Sequence, residues 1–277
     1  MLILTIMTVV SVLASAGISW GCGAFDCWQW LWMLPVGFAA VWLGLLLLIF
    51  LFVWIVCACV DTSKPQEEDS PFFRKMVKLF LPAVVKLLQV RIHLEGMEKL
   101  PKDGRFLLVC NHLDNMDPVL LINYFADSQL AFISKRENTT MFIVGKLMHK
   151  LLCQLINREN DREALKTILK CIQIIKEDKA SIAVFPEGYT SRDHKLHHFR
   201  SGVFKIAQKA DVPIVVCTVQ NTYHVFHNAK RLRPTDVELH LVDVIPASEL
   251  KGVTAVAIGE RVHKLMADDL GPENVAD

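Results

Sequence analysis

Two long apolar runs open the chain, and short apolar runs alternating with amphipathic stretches fill the rest. Residues 2–20 and 31–60 carry few polar side chains and are separated by residues 21–30, which hold Gly21, Gly23 and Asp26. A helix of about 20 apolar residues crosses a hydrocarbon core. Each run is therefore long enough to span, and the second has length to spare for tilt or a kink near Pro35. Trp20, Trp28, Trp30 and Trp32 crowd the connection, where an interfacial aromatic belt would lie. The pattern predicts a transmembrane helical hairpin over residues 1–60 with both ends on one side of the membrane.

From residue 61 the pattern changes. Residues 61–70 are polar, with Pro65 and the acid run Glu67-Glu68-Asp69. Residues 71–89 read as an amphipathic helix whose charges, Arg74, Lys75, Lys78 and Lys86, are all positive, as an anionic membrane surface would select. Pro82 is expected to bend or divide it. Residues 61–89 are thus read as a linker and a basic amphipathic interfacial helix. Beyond residue 90, strands are predicted at 90–94, 106–110, 130–134, 181–185, 214–219 and 237–244. Helices are predicted at 119–125, 140–152, 161–177, 201–210 and 247–269, with a frayed tail at 271–277. Strands alternating with helices imply an α/β domain over 90–277 with a mostly parallel central sheet flanked by helices.

Charge sharpens the boundary. Asp26 is the one charged residue in the first 60, and the first basic residue is Lys64. Ala14-Ser15-Ala16 is the competing signal, a cleavage site for a secretory peptide, but such a peptide begins with a positive segment that is missing here. Basic residues starting only after the second run place the soluble part on the cytoplasmic side of a cell membrane. The cysteines of the later segments lie singly in apolar runs, as reduced buried thiols do, and make no Cys-x-x-Cys pair. Cys22 and Cys27 are placed for a disulfide on the far side. The formal net charge of +1 gives no basic surplus, and no nucleic-acid partner is expected.

In α/β sheets ligands collect at the carboxyl ends of strands. Several polar motifs fall there. Asn111-His112-Leu113-Asp114-Asn115-Met116-Asp117-Pro118 follows the strand at 106–110. His112 with Asp117 five residues on is a candidate general-base pair, the carboxylate fixing the imidazole tautomer. Asp117 before Pro118 also has the form of a helix N-cap. Arg158 ends the run Leu155-Ile156-Asn157-Arg158, and Phe185-Pro186-Glu187-Gly188 follows the strand at 181–185. The run His194-Lys195-Leu196-His197-His198, with Asp193, invites a zinc reading, and a metal-dependent hydrolase through His112 and Asp117 is its enzymatic form. The run lacks matching cysteines and a helical His-x-x-x-His spacing, so no metal is assigned.

The combination resembles the glycerolipid acyltransferase family typified by 1-acyl-sn-glycerol-3-phosphate acyltransferase. Asn111, His112 and Asp117 match its Asn-His-x-x-x-x-Asp block, Ile156-Asn157-Arg158 the block ending in arginine, and Phe185–Gly188 its Phe-Pro-Glu-Gly block. A weaker fourth block, Val212-Pro213-Ile214, follows Phe199-Arg200-Ser201-Gly202. The resemblance covers about residues 90–221. It departs in two places. Asp114 stands where the family usually has Ser or Thr, putting a second acid beside the pair, and Tyr189-Thr190-Ser191 stands in place of Thr-Arg-Ser, leaving Arg192 as the nearest arginine.

The resemblance implies a membrane-bound acyltransferase of phospholipid biosynthesis. It would move a fatty acyl group from acyl-CoA or acyl carrier protein, as co-substrate and without cofactor, to the sn-2 hydroxyl of lysophosphatidate, giving phosphatidate. His112 and Asp117 would be catalytic. Asn111, Lys135, Arg158, Glu187, Gly188 and Arg192 would bind substrate. Membrane lipids and the lysophospholipid acceptor are the implied partners. Another lysophospholipid as acceptor, or an inactive lipid-binding homologue, are the alternatives that the two departures keep open.

Overall fold

The computed structural model describes residues 2–157 and 160–276. Contacts divide the chain into two compact units, 1–63 and 64–277. In the first, α1 (Leu2–Gly21) and α2 (Met33–Ala58) pack on each other, and both are long and apolar enough to cross a membrane by length and composition. They meet through small residues. Ser11, Ser15 and Ser19 are buried at four-residue spacing along α1, and Ser15 Oγ donates to the Leu34 carbonyl at 2.6 Å. A Cβ on Gly37 would come within 2.9 Å of that same oxygen, so glycine is what lets the helices close here. Pro35 sits in the first turn of α2, where a missing N–H leaves no helical bond unmade, so it has no need to kink the helix. Cys22 and Cys27 are free thiols.

The second unit runs α3 (Pro71–Leu87), β1 (Val90–Glu95), β2 (Leu107–Cys110), α4 (Met116–Tyr124), β3 (Leu130–Lys135), α5 (Phe142–Lys150), β4 (Gln154–Ile156), α6 (Asp161–Lys176), β5 (Ser181–Val184), α7 (Lys205–Ala210), β6 (Ile214–Gln220), α8 (Val225–Ala229), β7 (Thr235–Ile245) and α9 (Ala255–Leu270). The strands form one sheet in the order β1-β7-β6-β2-β5-β3-β4. Every pairing is parallel except β6 with β7, so the expected mostly parallel α/β sheet is what forms. β2 and β5 are apolar at nearly every position because both faces are covered. Leu107 and Val109 face a core built with α6, α7 and α9 through Ile174, Ala207 and Val262. Phe106, Leu108 and Cys110 face the other side, with Leu121 of α4 and Phe125 just beyond it.

Several local expectations shift. β4 pairs with the end of β3, Lys135 opposite Ile156, but is too short to read as a strand from its own residues. The helix expected from 247 starts only at Ala255, because 247–250 form a 3-10 turn, Gly252 takes φ +76°, and the Thr254 hydroxyl caps the Ala257 N–H. α3 runs through Pro82 without dividing. The tail expected to fray is paired instead: Leu196 N–H donates to Asn274 O at 2.8 Å and Ala276 N–H to Leu196 O at 3.0 Å.

α3 is also not uniformly basic on its open side. Phe73, Met76, Ala83 and Val85 are buried, and Arg74 is drawn inward with them. Its guanidinium donates to Leu130 O at 2.7 Å and Leu151 O at 3.2 Å while pairing with Asp69 at 3.0 Å. Phe72, Lys75, Leu79 and Lys86 are exposed at helical spacing, so the outward face is mixed apolar and basic without Arg74.

Candidate active site

The parallel block β6-β2-β5-β3-β4 brings the carboxyl ends of five strands to one edge of the sheet. Asn111 leaves β2 at that edge. Its side-chain amide accepts the Val219 N–H at 2.8 Å and donates to the Val219 carbonyl at 2.9 Å, extending the β2–β6 ladder by one side-chain rung. Both functions of the amide are thereby used on backbone, in a fully buried setting.

His112 follows directly. Its Nδ1 lies 2.8 Å from Asp117 Oδ2, and since a carboxylate only accepts, Nδ1 carries the proton and Nε2 the free lone pair. The ring stacks on Phe185, centroids 4.1 Å apart and planes at 15°. Nε2 meets the Thr190 hydroxyl at 3.0 Å. Asp117 is fully buried, and the same Oδ2 also accepts the N–H groups of Leu113 at 2.6 Å and Asp114 at 2.9 Å. Its Oδ1 has no hydrogen bond among the described residues. A buried carboxylate satisfied on one side gains from a positive neighbour, which is what His112 becomes on taking a proton.

The capping role expected of Asp117 belongs to Asp114. α4 begins at Met116, so Asp117 lies inside its first turn, and Asp114 Oδ1 accepts the Met116 N–H at 3.0 Å. Burial lifts the Asp114 carboxyl above the usual carboxylate range, and the Met116 N–H pulls it back. A short side chain with an acceptor oxygen is all this position uses, and Ser or Thr would supply one as well.

Glu187 is the second buried acid, 1% exposed. Oε1 accepts the His112 N–H at 2.9 Å and Oε2 the His197 N–H at 3.1 Å, so one carboxylate fixes the backbone beneath the imidazole to the loop at 196–198. Burial pushes this carboxyl up to about 7, against the pull of the two N–H donors. Gly188 takes φ +84°, which a side chain disfavours, and its N–H closes a turn onto Phe185 O at 3.1 Å. Ser191 N–H then donates to His112 O at 2.9 Å, holding the loop after Gly188 against the histidine's own backbone.

The other expected residues are spread around the same edge. Lys135 ends β3 and Arg192 sits on the loop after Ser191; both are exposed, and neither side chain makes a hydrogen bond or ion pair among the described residues. Arg158 lies outside the described residues. The histidine run does not converge: His197 Nε2 bonds Asp193 at 2.8 Å, His194 stacks on Tyr223 at 3.7 Å, and His198 lies 6.3 Å from His263. Beside Phe185, Pro186 and Gly188 opens a cavity of ≈320 Å³ with Ile133, Ile156, Leu165, Ile168 and Val203 on its walls, along with Arg200 and Lys205. A smaller polar one of ≈140 Å³ lies on the Asn111 side, against His194, Lys195 and Tyr223. Thr190 and Phe185 were not singled out as site residues from sequence. Their position beside Glu187 and Gly188 was the available signal, but contact with a ring 78 positions earlier was not.

A base-type histidine, aimed by a buried carboxylate and set at the carboxyl edge of a parallel sheet beside an apolar groove, forms a general-base site on an α/β scaffold. Residues 91–220 match the sequence model of the acyltransferase family. Over 170 residues it is 34% identical to a probable 1-acyl-sn-glycerol-3-phosphate acyltransferase of Mycoplasma pneumoniae, covering 59% of this chain and 60% of that protein. It is 27% identical to the 1-acyl-sn-glycerol-3-phosphate acyltransferase of Borreliella burgdorferi over 69% of this chain and 78% of that one. The fold matches the crystal structure of the 1-acyl-sn-glycerophosphate (LPA) acyltransferase PlsC from Thermotoga maritima, with a TM-score of 0.59 at 24% identity, covering 79% of this chain and 87% of that one.

Proposed function

We propose that the protein transfers a fatty acyl group from an acyl thioester to the sn-2 hydroxyl of lysophosphatidate at a membrane surface, giving phosphatidate. The observation that carries this is the His112–Asp117 pair, its ring stacked on Phe185 at the wall of the apolar cavity and its Nε2 turned to the exposed Thr190 hydroxyl, in a chain similar to proteins named for that activity. His112 Nε2 takes the proton of the acceptor hydroxyl as its oxygen adds to the thioester carbonyl. The new C–O bond forms, the C–S bond breaks, and the proton passes to the departing thiolate. Asp117 holds the tautomer and stabilises the imidazolium in between, as the acid does in Ser-His-Asp systems. No protein nucleophile is required, because the acceptor supplies the hydroxyl.

The apolar cavity beside Phe185 suits an acyl chain, and Arg200 and Lys205 on its wall suit the phosphates of a CoA or carrier-protein donor. Lys135 and Arg192, exposed at the same edge, and Arg158 are assigned to the acceptor phosphate. Asn111, Glu187 and Gly188 contribute by shaping the two loops around His112. Residues 1–60 anchor the protein as a transmembrane hairpin, and the mixed basic and apolar face of α3 rests on the cytoplasmic leaflet.

The test is thiol release and phosphatidate formation by detergent-purified protein, with acyl-CoA and acyl carrier protein donors and a panel of lysophospholipids. Wild type should form product with lysophosphatidate, and His112→Ala should lose about 10²–10⁴-fold. Full activity in His112→Ala would remove the mechanism. Product from another lysophospholipid alone would reassign the acceptor.

A further inference from the structure

His112 offers one direction to a substrate. Nδ1 is taken by Asp117, one ring face is covered by Phe185, and the side chain is only 16% exposed. The remaining lone pair on Nε2 is already met by the Thr190 hydroxyl at 3.0 Å. Because Nδ1 holds the ring proton, the hydroxyl is the donor, which is the hydrogen bond an acceptor alcohol must make before its proton is removed. Thr190 is not there by chance rotation of a loose loop. The Gly188 N–H bond to Phe185 O on one side and the Ser191 N–H bond to His112 O on the other fix its backbone. The side chain itself is exposed, so turning about χ1 releases the base without unpacking the core.

We propose that the Thr190 hydroxyl is a placeholder for the acceptor: it occupies the His112 base in the resting enzyme, denies it to water, and is displaced by the incoming lipid hydroxyl. This rests on the acyl-transfer reading above and makes Thr190 a positioning residue that governs the partition between transfer and hydrolysis. Hydrolysis would add water oxygen to the thioester carbonyl, break the C–S bond and release free acid and thiol, with the same base taking water's proton. A hydroxyl already on Nε2 must be displaced by water and lipid alike, but only the lipid has binding contacts elsewhere to drive that displacement.

The experiment compares wild type with Thr190→Val, which keeps the shape and removes the hydroxyl, and with Thr190→Ser, which restores it. A neutral hydrogen bond is worth about a two- to tenfold change in occupancy. Thr190→Val should raise acyl-CoA hydrolysis without acceptor by about that factor and lower the acceptor KM, and Thr190→Ser should return both toward wild type. Independently of turnover, diethyl pyrocarbonate should modify His112 faster in Thr190→Val, read by peptide mass spectrometry. Equal hydrolysis, equal KM and equal modification would overturn the proposal. So would a Thr190→Val enzyme inactive in both reactions while wild type gains the mass of an acyl group, which would make Thr190 a nucleophile. A wild type that hydrolyses acyl-CoA but acylates no lysophospholipid would refute the functional reading alone, and the modification rates would still decide the role of Thr190.

Discussion

Replacing Glu187 by glutamine keeps the side chain's shape and removes its charge. In the wild type its two oxygens each accept a backbone N–H, from His112 at 2.9 Å and from His197 at 3.1 Å. Glutamine can accept one of these and must turn its own NH₂ toward the other, setting donor against donor. A buried N–H left without an acceptor costs about 1–3 kcal/mol, so the net destabilisation should be about 2 kcal/mol at low pH, where the wild-type carboxyl is neutral, and should shrink as rising pH charges it. For a domain of this size that is roughly 4–8 °C in Tm. Activity should fall about 10- to 100-fold, because the backbone under the imidazole and the loop at 196–198 lose their common tie.

The charge also predicts a pH signature. Burial raises the folded carboxyl to about 7 from an ordinary 4.5, so between these values the folded protein holds a proton that the unfolded chain has released. The Glu187 contribution is therefore fully present below about 4.5 and is lost as pH rises toward 7, with a slope of at most about 1.4 kcal/mol per pH unit. Thermal unfolding in detergent from pH 4.5 to 8, beside thiol-release rates, reads both effects. The Glu187→Gln curve should lack that slope. If Glu187→Gln unfolds at the wild-type temperature at every pH yet has lost transfer, the carboxylate acts on bound substrate and the loop-tying argument is wrong.

Four further outcomes follow from the same geometry. Asn111→Ala should lower stability by about 2–4 kcal/mol in denaturant unfolding, since it strands the buried Val219 N–H and carbonyl together. Asp114→Ser should leave both Tm and rate close to wild type, whereas Asp114→Ala, with no oxygen for the Met116 N–H, should cost about 1 kcal/mol in the same melt. Arg74→Ala should destabilise by about 3 kcal/mol at any lipid composition because its partners are Leu130, Leu151 and Asp69. Lys75→Glu with Lys86→Glu should instead lower activity in anionic vesicles and spare it in zwitterionic ones, as measured by thiol release.

Periodicity and composition by themselves determined the two apolar helices, six of the strands and the α/β class, because those features record which faces must leave water. β2 and β5 were legible as continuous apolar runs, since both of their faces are covered. β4 was not, because its place comes from pairing with Lys135 and its neighbours and not from its own three side chains. The ordered blocks around His112 and Glu187 pointed to the right edge of the sheet and paired His112 with Asp117, whose side chains meet at 2.8 Å, but gave Asn111 and Glu187 no partner. Asp117 read as a cap because proline follows it, yet the fold starts α4 at Met116, two residues before Pro118, and leaves that task to Asp114. Arg74 read as one more charge on a basic face, and only packing shows it turned inward to two carbonyls. Glu187 had no physical role on the sequence alone. Its two donors, one of them 75 positions away, are assembled by strand order, as is the Thr190 hydroxyl on the His112 ring. Local pattern reports burial one residue at a time, whereas hydrogen-bond partners are fixed only when β2 and β5 are laid side by side.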